Sequence, residues 1–135
     1  MGINKTVVIS DKAPVALGPY SHANRFGNFI FTAGQLGINP VSGELVPGGV
    51  EQETRQAITN LIHILEAAGS SLDFVLKTTV FLRDINDFSV MNSAYSDFFK
   101  SNYPGRTTIQ VAALPKNGAV EIEAIAIAVP ERKQD

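Results

Sequence analysis

Arg106, Glu121 and Glu123 are the side chains with the most chemical reach in this sequence, and they stand out because so many other reactive groups are missing. The 135 residues contain no cysteine. Thiol nucleophiles, disulfides, zinc–thiolate sites and iron–sulfur clusters are thereby removed, and neither a metal nor an organic cofactor is expected. An arginine presents a planar fork of donors that fits a carboxylate through two parallel hydrogen bonds. Set near glutamates on a partly apolar surface, it has two readings: it receives a small anionic ligand, or it forms an Arg–Glu pair that holds subunits together. Spacing alone leaves both open.

The two histidines add little. His63 falls on the polar side of a helical pattern with Arg55, Thr59 and Glu66, and reads as a solvated surface residue. His22 lies on an alternating strand beside a turn, and reads as a surface or interface residue. A formal net charge of -2 and a pI near 5.6 give no electrostatic reason to expect nucleic acid as a partner. The small basic cluster Arg132-Lys133 reads as a solvated tail. The N-terminal apolar run is too short for a signal segment, and no other run approaches the ~20 apolar residues of a membrane span, so a cytoplasmic protein is expected. With 44% hydrophobic and 18% charged residues, the chain reads as one globular domain over residues 1–135.

The elements that must position these residues are short and well punctuated. Thr6 to Ile9 reads as a strand, followed by a Pro/Gly loop that delivers Tyr20. Runs at 21–26 and 29–34 flank Gly27-Asn28, a hairpin signal. From Val50 to Ala68, Ile58, Leu61, Ile62, Leu65 and Ala68 recur at helical spacing, with Glu51 and Glu53 at the positive end and Gly69 at the C-terminal cap. Phe74 to Leu82 alternates as a strand, with Leu76, Thr78, Val80 and Leu82 on one face. Asp87 offers an N-cap for a second helix carrying Phe88, Met91, Asn92, Tyr95, Phe98 and Phe99 and ending near Asn102. Arg106 to Leu114 and Ala119 to Val129 read as a second hairpin joined through Pro115–Gly118. The class is α+β: about six strands with two helices covering one face.

Because neighbouring strand residues point opposite ways, the two faces can be read separately. Ile109, Val111 and Ala113, with Val120, Ile122, Ala124, Ala126 and Ala128, are expected beneath the helices. The other face then carries Arg106, Thr108, Gln110, Glu121, Glu123, Ile125, Ile127 and Phe81. Two helices cannot cover both faces, and an exposed patch of this kind marks association, so a homo-oligomer is expected.

The chain closely resembles the Rid family, the reactive intermediate deaminases of YjgF type. The resemblance rests on Gly18-Pro19-Tyr20-Ser21 with Ala23, Thr32-Ala33-Gly34-Gln35, Lys77-Thr78-Thr79-Val80-Phe81-Leu82, Asp84-Ile85-Asn86-Asp87-Phe88 and Asn92 with Tyr95. It is strongest at Pro104-Gly105-Arg106, Val111-Ala112-Ala113-Leu114-Pro115 and Val120 to Ala126. It implies a chorismate-mutase-like fold, a mixed sheet of about six strands with two helices on one face, assembled as a homotrimer with clefts between subunits. Its implied activity is hydrolysis of 2-imino or 2-enamino acids, such as 2-iminopropionate or 2-iminobutanoate, to 2-keto acids and ammonia. Arg106 would bind the substrate carboxylate. Tyr20, Gly34, Phe88, Asn92, Thr108 and Glu121 match family positions that line the cleft.

A protonated imine is already a strong electrophile, so this chemistry needs no metal. Glu121 would position or deprotonate the attacking water, or else orient Arg106. The chain departs from the common family pattern at His22, where Gln is frequent, at Gly105, where Ala is common, and at Thr108, where a bacterial deaminase can carry Cys. Two rival functions remain at this level: a regulatory trimer that binds a small carboxylate without turnover, and a ribonuclease or translation inhibitor.

Overall fold

A computed structural model describes residues 4–129; Arg132 and Lys133 lie outside the described residues. The order is β1 (Thr6–Val8), β2 (Ala23–Phe26), β3 (Phe29–Thr32), β4 (Gln35–Leu36), α1 (Gly49–Ala67), β5 (Val75–Leu82), α2 (Phe88–Ser96), β6 (Gly105–Gln110) and β7 (Val120–Ile127). The strands form one mixed sheet, β1-β2-β3-β7-β5-β6, with β4 also on β7. Only β5 and β6 are parallel. No helix among the described residues is long and apolar enough to cross a membrane.

The first hairpin forms as the sequence predicts. Phe26 faces Phe29 across a two-residue turn, and Gly27 takes the positive φ of 60° that this turn requires. The second expected hairpin does not form. β6 lies parallel to β5 and β7 lies antiparallel on the other edge of β5, so the two flank that strand instead of pairing with each other. The α2 crossover from β5 brings the next strand back parallel beside it. Alternation assigns a residue to a face but does not name its neighbouring strand. The link at Pro115–Asn117 crosses the end of β5, with Lys116 and Asn117 both at φ 56° and the Arg83 guanidinium donating to the Asn117 carbonyl at 2.6 Å.

This topology reverses the expected faces of β6. Arg106 pairs with Thr78 and Thr108 with Val80, both buried beneath the helices. Arg106, Thr108 and Gln110 are therefore on the helix side, and Ile109 is on the open side, 42% exposed. An edge strand is poorly covered on either side, so hydrophobicity was a weak guide there. On the better-shielded β7 the expectation holds: Val120, Ile122, Ala124 and Ala126 are buried, while Glu121, Glu123, Ile125 and Ile127 are half-buried on the open face. Leu76 departs from the face predicted for it because the β5–β7 register shifts between Val75 and Lys77.

The core lies between the sheet and α1, where Ile58, Leu61, Ile64 and Leu65 meet Ile30, Val80 and Ile122. Burying each such side chain stabilises the fold by about 1.5–3 kcal/mol. Gly69, at φ 83°, ends α1 as expected. Glu53 does not serve the helix end. It turns inward and accepts the Ala119 N–H at 2.9 Å. Buried Asn60 donates to the Leu36 and Ile38 carbonyls at 3.1 and 3.0 Å. These two polar side chains fix the segment after β4 and the start of β7 to one helix. Asp87 stands at the N-cap of α2 as expected but makes no side-chain cap hydrogen bond, and Asp84 caps the 3-10 turn Ile85–Asp87 just before it, accepting from the Asn86 N–H at 2.9 Å. The helix ends at Ser96, short of Asn102, and a turn at Asp97 and Phe98 follows it, with Phe99 just beyond.

Candidate active site

Seen from one chain, the predicted site residues fall into two groups. The first is built on β6 and α2. Phe88, Asn92 and Tyr95 lie on one face of α2, spaced four and three residues apart, and aim at Arg106 on the neighbouring strand. The guanidinium donates from Nη2 to Asn92 Oδ1 at 2.7 Å. It lies over the Tyr95 ring at 4.7 Å and the Phe88 ring at 5.5 Å. Among the described residues, no carboxylate forms an ion pair with it. Beside it opens a hollow of about 390 Å³ lined by Asn92, Tyr95, Ser96, Phe99, Tyr103 and Pro104. Thr108, two residues along the same face, has a buried hydroxyl oxygen without a partner among the described residues.

The second group gathers on the other side of the sheet. Tyr20, Gly34 and Glu121 share a hollow of about 170 Å³ with Leu17, His22 and Pro115. Phe31 faces Ile125 and Gln35 faces Ile122, so four steps along β3–β4 match three along β7. A bulge at Ala33–Gly34 takes up the extra residue. Thr32 bridges the break, its hydroxyl accepting the Ala124 N–H at 3.0 Å. Gly34 then lies so close to Glu121 that a Cβ on it would sit 2.9 Å from Cγ, Cδ and Oε1. Burial, and secondarily the adjacent Glu123, pushes the Glu121 carboxyl above the ordinary carboxylate range. A proton acceptor of raised pKa suits general-base work at neutral pH.

His22 is neither a surface nor an interface residue in this fold. It is 3% exposed; Nδ1 accepts the Ser10 N–H at 3.0 Å and Nε2 donates to the Pro14 carbonyl at 2.7 Å. The ring ties down the loop that delivers Tyr20, whose hydroxyl accepts the Leu17 N–H at 3.0 Å. His63 is half-buried, with Nδ1 shielded and unpartnered among the described residues, instead of freely solvated.

Comparison with known proteins decides the lineage. A family model described as endoribonuclease L-PSP matches residues 10–128. The chain belongs to the YjgF/Rid family. A bovine relative named 2-iminobutanoate/2-iminopropanoate deaminase is 52% identical over 126 residues, covering 93% of this chain and 92% of its own. The crystal structure of RidA from the Antarctic bacterium Psychrobacter superposes with a TM-score of 0.87 at 43% identity, covering 90% of this chain and 98% of its own. E. coli TdcF with bound serine superposes with a TM-score of 0.87 at 39% identity, covering 92% and 99%.

In this Rid chain Arg106 and Glu121 do not meet. Arg106 pairs with Thr78 and Glu121 with Phe81, residues on opposite faces of β5, so within one chain Glu121 does not orient Arg106. Sequence reasoning passed over Tyr95 and Thr32 as candidates. Tyr95 stands in the aromatic stripe of the second helix, where the phenol of Tyr95 and the amide of Asn92 are the polar marks. Thr32 lies in the Thr32-Ala33-Gly34-Gln35 motif, but its bridging role exists only once the bulge forms.

Proposed function

We propose that this chain hydrolyses 2-imino acids and their enamine tautomers, such as 2-iminopropionate and 2-iminobutanoate, to the 2-keto acid and ammonium. The observation that carries this reading is Arg106, an arginine without a carboxylate partner among the described residues, held by two rings and an amide at the mouth of an open hollow. Its fork would take the substrate carboxylate through charge-assisted hydrogen bonds, each worth about 1.5–3 kcal/mol. Asn92, Phe88 and Thr108 would shape the same end of the site. Water adds to the carbon of the protonated imine and gives one proton to Glu121; the carbinolamine nitrogen takes that proton from Glu121, and the C–N bond breaks as the remaining hydroxyl proton passes through Glu121 to the departing ammonia, leaving C=O and NH4+. Tyr20 and Gly34 would line the Glu121 side.

Two faces of one chain cannot enclose one substrate, so the reading includes a homotrimer in which Arg106 of one copy meets Glu121 of the next. The open sheet face supports this assembly. Phe26, Phe29 and Phe31 are each about half exposed at 49%, 50% and 48%, and Phe26 pairs with Phe29, Phe29 with Ile127 and Phe31 with Ile125.

The test is a trapping assay. A dehydratase generates 2-iminobutanoate, and a nucleophilic trap competes with hydrolysis. Wild type should empty the imine pool before trapping and Arg106→Ala should not. Equal, slow disappearance with both would overturn the deaminase reading and favour the rival of a trimer that binds a small carboxylate without turnover. RNA cleavage by nuclease-free wild type but not by Arg106→Ala would instead support the ribonuclease reading, for which the acidic pI offers no electrostatic basis.

A further inference from the structure

We infer that Tyr95 is a positioning residue for the carboxylate site: tethered to Thr78, it supports the Arg106 guanidinium on its ring face and fixes the direction in which the fork meets its ligand. This deepens the deaminase reading and rests on it. An arginine side chain has four rotatable bonds, and one hydrogen bond to Asn92 cannot hold its plane. The plane is set by what lies beneath, and the Tyr95 ring is the closer of the two rings, 4.7 Å against 5.5 Å for Phe88. Phe88 is 39% exposed and free to adjust, whereas Tyr95 is 5% exposed and stacked on Phe99 at 4.4 Å and 22°.

What fixes Tyr95 is a buried hydrogen bond between its hydroxyl and Thr78 Oγ1, 2.8 Å. Thr78 is also the residue paired with Arg106 across the β5–β6 ladder. Strand, helix and guanidinium thus close a small loop of contacts: Arg106 to Thr78 through the sheet, Thr78 to Tyr95 through the hydroxyls, and Tyr95 back to Arg106 through the ring face. Burial holds the phenol above its ordinary pKa, so it stays a neutral hydroxyl and the tether survives across the working range.

The experiment measures pyruvate binding by calorimetry and imine turnover for the full-length protein and its variants. Tyr95→Leu removes the ring face and should raise the pyruvate Kd about tenfold, the scale of a partly desolvated cation–π contact. Tyr95→Phe and Thr78→Val keep the packing and break only the tether, and each should raise it about threefold. KM should rise in parallel, with kcat changed less than about twofold, because carboxylate grip is shared by substrate and transition state.

The double variant Tyr95→Phe/Thr78→Val separates positioning from mere stability. Replacing both buried partners with apolar groups restores much of the lost stability, but Kd should stay raised. The Arg106 Nε–H proton resonance, shifted by the aromatic ring current, should move in Thr78→Val. Wild-type Kd and an unmoved Arg106 resonance in Thr78→Val and Tyr95→Leu, with pyruvate binding lost in Arg106→Ala, would overturn the inference alone. Wild-type binding by Arg106→Ala would overturn the carboxylate reading and take the inference with it.

Discussion

Replacing Gly34 by alanine is a demanding trial of how the Glu121 half of the site is built. The backbone at Gly34 does not have a positive φ, so alanine meets no conformational penalty there. What it meets is Glu121: the new Cβ would lie 2.9 Å from Cγ, Cδ and Oε1, where carbon atoms at rest sit about 3.5–4.0 Å apart. Something must move by roughly 1 Å. If the glutamate stays, the overpacking costs about 1–3 kcal/mol of stability. If it swings away, stability is spared and turnover falls by about 10²-fold, the usual consequence of misplacing a reacting group by that distance. Urea unfolding and the imine-trapping assay together read both routes. The structural control is Glu121→Ala, which removes all three clashing atoms. Gly34→Ala introduced on that background should cost less than about 0.5 kcal/mol, giving a clear coupling between the sites. Equal cost in both backgrounds, or a Gly34→Ala protein with wild-type stability and turnover, would refute the claim that the glycine exists to admit the carboxylate.

Further outcomes follow from other contacts. His22→Ala should lose about 1–3 kcal/mol in urea unfolding because the buried Ser10 N–H and the partly buried Pro14 carbonyl lose their partner, while His22→Gln, whose amide can both donate and accept, should recover much of it. Since burial raises the Glu121 carboxyl, the native state binds more protons than the unfolded chain. Its contribution to stability is full below the ordinary glutamate pKa and is lost as pH rises through the raised value. Unfolding curves followed upward from the ordinary glutamate pKa, about 4.3, should therefore show a decline that Glu121→Gln abolishes. Phe31→Glu places a charge in the open apolar face and should yield folded monomers by sedimentation and circular dichroism; an intact trimer would count against that face as the interface.

Much of the fold was legible because its elements announce themselves locally. The α1 stripe, the Gly27 turn and the β7 alternation each depend on residues close in sequence, and all three appear where predicted. The second hairpin failed for a non-local reason: whether β6 pairs with β7 or with β5 depends on a crossover through α2 that no short window records. The same error turned Arg106 to the wrong face. The site residues were visible as types, since Arg106, Asn92, Glu121 and Gly34 lie in marked motifs, but their grouping was not. Gly34 and Glu121 become neighbours only through the bulge at Ala33–Gly34, which Thr32 bridges. His22 was misjudged because alternation beside a turn suggests a surface, whereas its two ring nitrogens satisfy backbone groups from a loop that folds back over it.

The central claim, that one active site takes its arginine and its glutamate from two copies of the chain, is tested most directly by mixing two inactive variants. Arg106→Ala and Glu121→Ala proteins are unfolded together in equal amounts, refolded, and assayed for imine hydrolysis. In a cyclic trimer every mixed assembly regains one intact Arg106–Glu121 cleft, so random mixing should restore about a quarter of wild-type activity. If both halves of the site come from the same chain, no mixture holds an intact site, and activity after mixing that stays at the level of the separate variants would contradict the account.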